Sequence, residues 1–220
     1  RNALKDKGGF LMSRNIVITI GREFGSGGRE IGQKVAKALG ISFYDKNLID
    51  IAAKKSGINS DLLYQADEKA SNPFFSAYLP TGTDYGTVND RLFWTQSSII
   101  KDLASKESCV IVGRCSDYVL EDFDNCMHIY IFAPLAKRIE RIKDRYLIES
   151  DAAARKEIAR TDKIRRSYYQ YYTDRKWGGV DGKTMAIDSS FYGVDGTVDL
   201  IVNMVHKKWP DFVSPEKTEE

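Results

Sequence analysis

Val17-Ile-Thr-Ile-Gly-Arg-Glu-Phe-Gly-Ser-Gly-Gly-Arg-Glu30 joins an unbroken apolar run to a loop that contains four glycines. The run Ile16–Ile20 is rich in β-branched residues, which predicts a strand buried on both faces. After the loop, apolar residues recur at helical spacing over Arg29–Leu39, and Gly40 follows as a helix stop. Glycines let backbone N–H groups converge on an anion, and the start of the following helix adds its dipole. This order predicts a phosphate-binding loop, with a tight turn that binds no ligand as the alternative.

Beyond this loop the chain keeps alternating between apolar runs and helical patterns. Further strands are predicted at Ser42–Tyr44, Cys109–Val112, Met127–Phe132 and Thr184–Ile187. Helices are predicted at Lys46–Lys55, Ser60–Lys69, Asp90–Lys106, Pro134–Ile148, Ala152–Tyr172 and Val194–Lys207. Ser71–Asn89 is rich in Pro, Gly and aromatic residues and is interpreted as an ordered but irregular insert at the mouth of a site. Strands separated by helices predict a parallel sheet covered by helices on both faces.

Composition places the chain among ordinary globular proteins. Its 220 residues suffice for one domain with a lid or insert, and 42% of them are hydrophobic. The 33 basic and 31 acidic side chains give a net charge of +2, which supplies no broad cationic field for nucleic acids or membranes. Two histidines exclude a His-rich metal site, and three cysteines without a CxxC pair are typical of reduced intracellular thiols.

The ends of the chain and its location give further expectations. No apolar run approaches the roughly 20 residues of a membrane span, and the first residues lack the core of a signal peptide. The expected location is therefore the cytoplasm. We expect residues 1–11 to be a leader before a native start at Met12, residues 12–210 to form a single domain, and residues 211–220 to be a flexible tail.

The loop departs from the standard Walker A pattern GxxxxGK[ST]. Alignment on Gly25-Ser-Gly27 puts Gly28 in the position of the lysine and Arg29 in the position of the Ser or Thr that binds magnesium. Arg22 and Arg29 flank the loop and can replace the lost charge, because arginine clamps phosphates in a bidentate manner. Neither arginine can replace a hydroxyl on Mg²⁺, so the sequence leaves the metal ligands unknown.

Several segments together resemble those of one family. The chain resembles the cytidylate kinase-like proteins, a branch of the nucleoside-monophosphate kinases in the P-loop superfamily, from Ile16 to about Lys207. Their shared markers are Val17-Ile-Thr-Ile-Gly-Arg-Glu-Phe-Gly-Ser-Gly-Gly-Arg-Glu30, Phe43-Tyr-Asp-Lys46, Val110-Ile-Val-Gly-Arg114 and Ile187-Asp-Ser-Ser190. The glycine in place of the lysine at position 28 is itself similar to this branch and differs from standard cytidylate kinases.

The resemblance implies a fold, an activity and cofactors. It implies an α/β three-layer P-loop nucleotide kinase fold with a five-stranded parallel sheet of order 2-3-1-4-5, helices on both faces and a helical lid. Residues of about 45–90 would bind the monophosphate and residues of about 138–175 would form the lid. The implied reaction is phosphoryl transfer from ATP, with Mg²⁺, to CMP or dCMP, so the partners are small-molecule nucleotides. A non-catalytic nucleotide-binding protein with a degenerate Walker A loop is the alternative.

Five arginines are the candidate cations for phosphoryl transfer. Arg22 and Arg29 adjoin the loop, whereas Arg138, Arg141 and Arg145 form one stripe on a predicted helix. Arginines stabilise the charge that spreads over the transferred oxygens. The alternative for the stripe is a solvated face paired with Glu140 and Asp144. The candidate phosphate cradle consists of Gly25, Ser26, Gly27, Gly28, Arg29 and Glu30.

Four residues are candidates for binding the acceptor nucleotide. Asp45 matches the Asp that opens the monophosphate region of the family, and a helix N-cap is its alternative role. Arg114 follows a buried strand at the sheet edge where α/β folds bind ligands, with a structural salt bridge as the alternative. Asp162-x-x-Arg165 is similar to the family's Asp-x-x-Arg, which contacts the cytosine and the phosphate, and its alternative is a surface ion pair.

Overall fold

The computed structural model describes residues 15–45 and 85–214 of the chain. Its strands are β1 (Val17–Arg22), β2 (Ser42–Tyr44), β3 (Cys109–Val112), β4 (Cys126–Phe132) and β5 (Met185–Asp188). Its helices are α1 (Gly28–Leu39), α2 (Tyr85–Lys106), α3 (Ser116–Val119), α4 (Leu135–Tyr146), α5 (Asp151–Thr173) and α6 (Ser189–Lys208). The described elements agree with the predicted alternation of strands and helices.

The sheet has the order β2-β3-β1-β4-β5, which confirms the expected order 2-3-1-4-5. All its neighbouring strands are parallel, and the central strand β1 pairs Val17 with Cys109 of β3 and with Cys126 of β4. The β-branched run of β1 is fully buried, because helices cover both faces of the sheet. The loop after β1 therefore lies at the centre of the carboxyl edge, where open α/β sheets bind ligands.

The two faces of the sheet carry different helices. On one face α1 and α6 pack over an aliphatic cluster that includes Ile18, Ile31 and Ile201. On the other face α2, α3 and α5 contribute Phe93, Val119 and Tyr169 to a second cluster. A smaller cluster of Ile139, Ile142, Ala154 and Ile158 joins α4 to α5 and packs against Phe24 of the glycine loop. This third cluster holds the lid helices against the loop.

Several element boundaries differ from the predictions. Helix α2 begins at Tyr85, inside the segment interpreted as an irregular insert, and the short helix α3 was not predicted. Helix α6 begins five residues before Val194 and is broken at Gly193, which has a φ of 69° and a ψ of −178°. The predicted helices Lys46–Lys55 and Ser60–Lys69, and the insert up to residue 84, lie outside the described residues.

In the part of the chain that the structure describes, no helix is both long enough and apolar enough to cross a membrane.

Candidate active site

The glycine loop leaves the start of α1 open to an anion. Gly25 and Gly27 have φ values of 84° and 81°, a left-handed conformation that glycine adopts without strain. No side chain among the described residues caps the first N–H groups of α1, which begins at Gly28. Ser26 is turned inward, since its hydroxyl donates to the carbonyl of Glu23 at 2.9 Å. Backbone N–H groups and the helix dipole are therefore available to a phosphate, as the sequence predicts.

Arg22 fills the space that a side chain at position 28 would need. A Cβ atom built on Gly28 would lie 2.6 Å from Cβ of Arg22, an atom fixed to the backbone of β1. A Cβ atom built on Gly113 would collide with the Arg22 guanidinium itself. Two glycines thus form the groove that holds the Arg22 side chain beside the loop.

The charge of Arg22 is only partly neutralised. Burial, together with the nearby positive charge of Arg165, lowers the pKa of Arg22 to about 9, while Asp45 opposes this shift. The Asp45 carboxylate lies 3.8 Å from Nη2 of Arg22, longer than a hydrogen bond. Burial also lowers the pKa of Arg165. Two buried cations side by side favour the binding of an anion, which would relieve their repulsion.

Arg29 lies in a different environment although it also flanks the loop. Its Nε donates to Oδ2 of Asp45 at 2.5 Å, and 56% of its side chain is exposed, against 6% for Asp45. Of the two arginines, Arg29 is therefore the closer partner of Asp45, which lies at the end of β2. The helix whose N-cap was the alternative role of Asp45 lies outside the described residues.

The arginine stripe of α4 faces the loop. Arg141 and Arg145 donate to Oε2 of Glu30 at 2.5 and 2.9 Å, and the Arg141 guanidinium lies next to Gly27. Burial raises the pKa of the Glu30 carboxyl, but Arg141, Arg145 and Lys34 outweigh it, so the net pKa is lowered. Glu30 thus keeps two lid arginines at the start of α1. The partner of both arginines is Glu30, not the Glu140 and Asp144 of the solvated-face alternative.

Asp162 joins the loop to the lid. Its Oδ1 accepts the backbone N–H of Phe24 at 2.8 Å, and its Oδ2 accepts from Nη1 of Arg138 at 2.5 Å. Both side chains of this ion pair are about nine-tenths buried. The same Nη1 is 3.3 Å from the carbonyl of Phe24. The sequence did not indicate this bridging role, because the three residues are far apart in the chain.

Arg165 lies one turn further along α5 and also contacts the loop. Its Nη1 donates to the carbonyl of Arg22 at 3.3 Å, and its guanidinium carbon is 5.5 Å from the centroid of the Phe24 ring. Within the Asp162-x-x-Arg165 motif, the aspartate is engaged by protein groups and the arginine turns toward a cavity. Asp162, which is buried, pairs with Arg138 rather than with Arg165, so the alternative of a surface ion pair within this motif is not what the structure shows.

That cavity has a volume of about 220 Å³ and lies between α5 and the ends of β1 and β3. Four of its lining residues are cationic, namely Arg22, Arg114, Arg165 and Lys183. Four are aromatic, namely Tyr130, Tyr168, Tyr169 and Trp177. Arg114 has a left-handed φ of 59°, a conformation that costs a non-glycine residue roughly 1–2 kcal/mol. Cations that can bind phosphate and aromatic rings that can stack on a planar group thus line the same cavity.

Sequence analysis did not single out Asp117 and Lys183, two of the residues that line this cavity. Tyr169 donates to Oδ2 of Asp117 at 2.8 Å, and Lys183 donates to the same oxygen. Lys183 comes from the segment before β5 and Asp117 from α3, so no spacing pattern in the sequence links them. Cys115, which also lines the cavity, is a buried thiol whose pKa is raised mainly by burial. Such a thiol stays protonated and is a poor nucleophile.

The described residues do not build a site for a metal ion. No group of three His, Cys, Asp or Glu side chains in residues 15–45 and 85–214 could hold one. The carboxylates nearest the loop, Glu23, Glu30 and Asp45, each lie against an arginine. Arg29 occupies the position of the usual magnesium-binding hydroxyl, so this position supplies no protein ligand for Mg²⁺.

Comparisons with known proteins agree with this arrangement. The chain is 26% identical to an uncharacterized protein from Eubacterium ventriosum, with a TM-score of 0.63 over 87% of this chain and 98% of that one. A shikimate kinase from Bacteroides thetaiotaomicron shares the fold at 10% identity, with a TM-score of 0.50 over 87% of this chain and 98% of that one. No curated protein matches the chain significantly.

The sheet order, the glycine loop after the central strand and the helical lid define a P-loop kinase fold. The sequence model of the cytidylate kinase-like family matches residues 17–191. The chain belongs to the cytidylate kinase-like family.

Proposed function

We propose that the protein transfers the terminal phosphoryl group of ATP to a pyrimidine nucleoside monophosphate, namely CMP or dCMP. The observation that carries this proposal is the junction between the glycine loop and the cavity. Arg22 belongs to both, and Arg114 and Arg165 line the cavity beside it. A loop that fits a donor phosphate and a cationic cavity that fits an acceptor phosphate therefore meet at one point. Membership of a kinase-like family supports the same reaction class.

The donor phosphates would occupy the glycine loop. Within residues 25–30 the backbone N–H groups would supply hydrogen bonds, except that of Ser26, which donates to the carbonyl of Glu23. The α1 dipole favours the negative charge. Arg141 lies next to Gly27, within reach of a phosphate in the loop. Mg²⁺ would arrive with ATP and neutralise part of its phosphate charge, since such ions keep several waters and bind mainly to substrate phosphates.

The acceptor would place its phosphate among the cations of the cavity. Arg114 and Arg165 would bind the phosphate oxygens, and both lie at the end of the cavity next to Arg22. Asp45 would orient Arg29 and Arg22 at the entrance, since it lies close to both. Asp162 would support Arg165 at the acceptor site indirectly, through its contacts with the loop and with Arg138.

The transfer itself needs no covalent enzyme intermediate. An oxygen of the acceptor phosphate forms a bond to the γ-phosphorus of ATP, and the bond from that phosphorus to the β,γ-bridging oxygen breaks. The products are a nucleoside diphosphate and ADP. Arg22 would be the fixed cation beside the transferred group, and Arg138, Arg141 and Arg145 would add charge from the lid.

The test is steady-state ADP release by the full chain with ATP, Mg²⁺ and a panel of CMP, dCMP, UMP, AMP and GMP. We expect faster release with CMP or dCMP than with AMP or GMP. If the protein binds ATP but no acceptor stimulates ADP release, the alternative of a non-catalytic nucleotide-binding protein is favoured over the kinase. A preference for AMP would remove the cytosine assignment. The proposed setting is the cytoplasm, with small-molecule nucleotides as the partners.

A further inference from the structure

The part of the cavity away from the loop is a polar cluster that the phosphoryl transfer does not use. Tyr169 and Lys183 both donate to Oδ2 of Asp117, and Nζ of Lys183 also lies 3.1 Å from the Tyr169 hydroxyl oxygen. The side chains of Lys183 and Asp117 are only 4% and 10% exposed. A buried, charged cluster of this kind is costly to maintain and has no role in the transfer itself.

The cluster leaves one acceptor and one donor unused beside the cavity. Both protein donors converge on Oδ2 of Asp117, and none of the described residues donates to its Oδ1. The Lys183 ammonium has three protons, and Asp117 and Tyr169 engage two of them. A carboxylate oxygen that accepts and an ammonium that donates therefore stand next to each other on the cavity wall.

Asp117 is the sole acidic residue among those that line the cavity within the described chain. Asp162, the residue that sequence resemblance assigns to the cytosine, does not line it. Both carboxylate oxygens of Asp162 already accept from the protein, from Phe24 and from Arg138. A base inside this cavity therefore meets Asp117 rather than Asp162.

The position of the cluster relative to Arg165 suits a nucleotide. Arg165 and Tyr169 are four residues apart on α5, a rise of about 6 Å along the helix axis, which one ribose can bridge. Tyr168 and Trp177 also line the cavity, and their rings can stack on a base. A phosphate at Arg165 thus puts the base of the same nucleotide near Asp117.

We propose that Asp117 and Lys183 read the base of the acceptor nucleotide, an inference that rests on the proposed function for the class of acceptor. Oδ1 of Asp117 accepts from the exocyclic amino group of cytosine, and Lys183 donates to the adjacent ring nitrogen. Uracil presents the reverse order, a carbonyl oxygen beside a ring N–H, so the pair disfavours it. Adenine carries the same order as cytosine, so the pair separates amino bases from oxo bases.

The test follows binding by tryptophan fluorescence, because Trp177 lines the cavity. The full-length chain, Asp117→Asn and Asp122→Asn are titrated with CMP, with UMP and with a CMP analogue that has hydrogen in place of the amino group. Asp122 is exposed and does not line the cavity, so its variant controls for the loss of one acidic charge. We expect the parent to bind CMP at least about tenfold more tightly than UMP or the analogue. Asp117→Asn loses this preference, and Asp122→Asn keeps it.

Equal binding of CMP and its analogue by the parent would overturn the inference, and this comparison does not depend on the folding of any variant. A folded Asp117→Asn protein that still prefers CMP would overturn it as well. The same proteins are assayed for ADP release, so the two proposals fail separately. If the base preference depends on Asp117 but no ADP is released, the kinase proposal is rejected and the base-recognition proposal stands. If ADP is released and Asp117→Asn keeps the preference for CMP, the base-recognition proposal is rejected and the kinase proposal stands.

Discussion

The two ends of the glycine loop each carry an arginine, and the two arginines are in opposite physical states. Arg22, at the strand end, lies in a groove made by Gly28 and Gly113, and the carboxylate of its partner Asp45 is 3.8 Å away, beyond hydrogen-bond distance. Arg29, at the helix end, is more than half exposed and pairs with Asp45 at 2.5 Å. A fixed and poorly neutralised cation is suited to a developing negative charge, whereas a paired one is suited to holding structure. We therefore propose that Arg22, rather than Arg29, supplies the charge lost with the missing lysine.

Replacing Arg22 should give the largest effect. We expect Arg22→Met to lower the rate of CMP-dependent ADP release by about 100- to 1000-fold, the loss typical for one preorganised donor at a transition state. Stability should stay the same or rise, because a buried and poorly paired cation is removed. Steady-state kinetics and urea unfolding measure the two effects.

Arg155→Met, at an exposed position of α5, is the matched control and should behave as the parent does. An Arg22→Met variant that loses stability but keeps its rate would reverse the roles assigned to the two arginines.

Replacing Arg29 should give a smaller and different effect. Arg29→Met leaves the buried Asp45 with a more distant cation, so we expect a loss of about 1 kcal/mol in the free energy of unfolding, limited by the solvent exposure of Arg29. The ADP release rate should fall by less than about tenfold, since the main charge at the loop remains. Urea unfolding measures the change in stability, and steady-state kinetics with CMP measure the change in rate. If Arg29→Met loses as much rate as Arg22→Met, the two arginines do not have different roles.

The smallest effect concerns Glu30, which holds two lid arginines at the helix end of the loop. Its pKa is lowered in the folded protein, so its stabilising contribution is present above the unfolded pKa and is lost as the pH falls through the folded pKa. After solvent screening we expect about 0.3–0.5 kcal/mol.

We compare the free energy of unfolding in urea at pH 6 and at pH 3. It should fall more for the parent than for Glu30→Gln when the pH is lowered. Glu149→Gln, at an exposed position, is the control. Identical losses in the parent and in Glu30→Gln would mean that the pairs with Arg141 and Arg145 add nothing to stability.

Local sequence signals were sufficient for the sheet and the loop. A β-branched run, a glycine cluster and a helical repeat all act within about 20 residues, so β1, the loop and α1 were predictable. The sheet order came from the family resemblance and is confirmed. Local periodicity does not report how the loop contacts distant elements.

The burial and pairing of individual charged side chains could not be predicted from these local signals. Arg22 and Arg29 are equivalent in the sequence, and only the approach of Gly113 and Asp45 in the fold distinguishes them. In the same way, Asp117 meets a lysine that lies 66 residues further along the chain. Burial and pairing of charges depend on these long-range contacts, which one sequence does not reveal.

The measurement that tests the role of Arg22 most directly is the rate of CMP-dependent ADP release by Gly28→Lys, which restores the lysine of the standard motif. A side chain at position 28 brings its Cβ to 2.6 Å from Cβ of Arg22 and must displace the loop or the strand. If Arg22 supplies the charge, Gly28→Lys is slower than the parent and less stable to urea. A sharp rise in rate in Gly28→Lys, with parent-like rates in Arg22→Met and Arg29→Met, would show instead that the loop is a degraded Walker A motif.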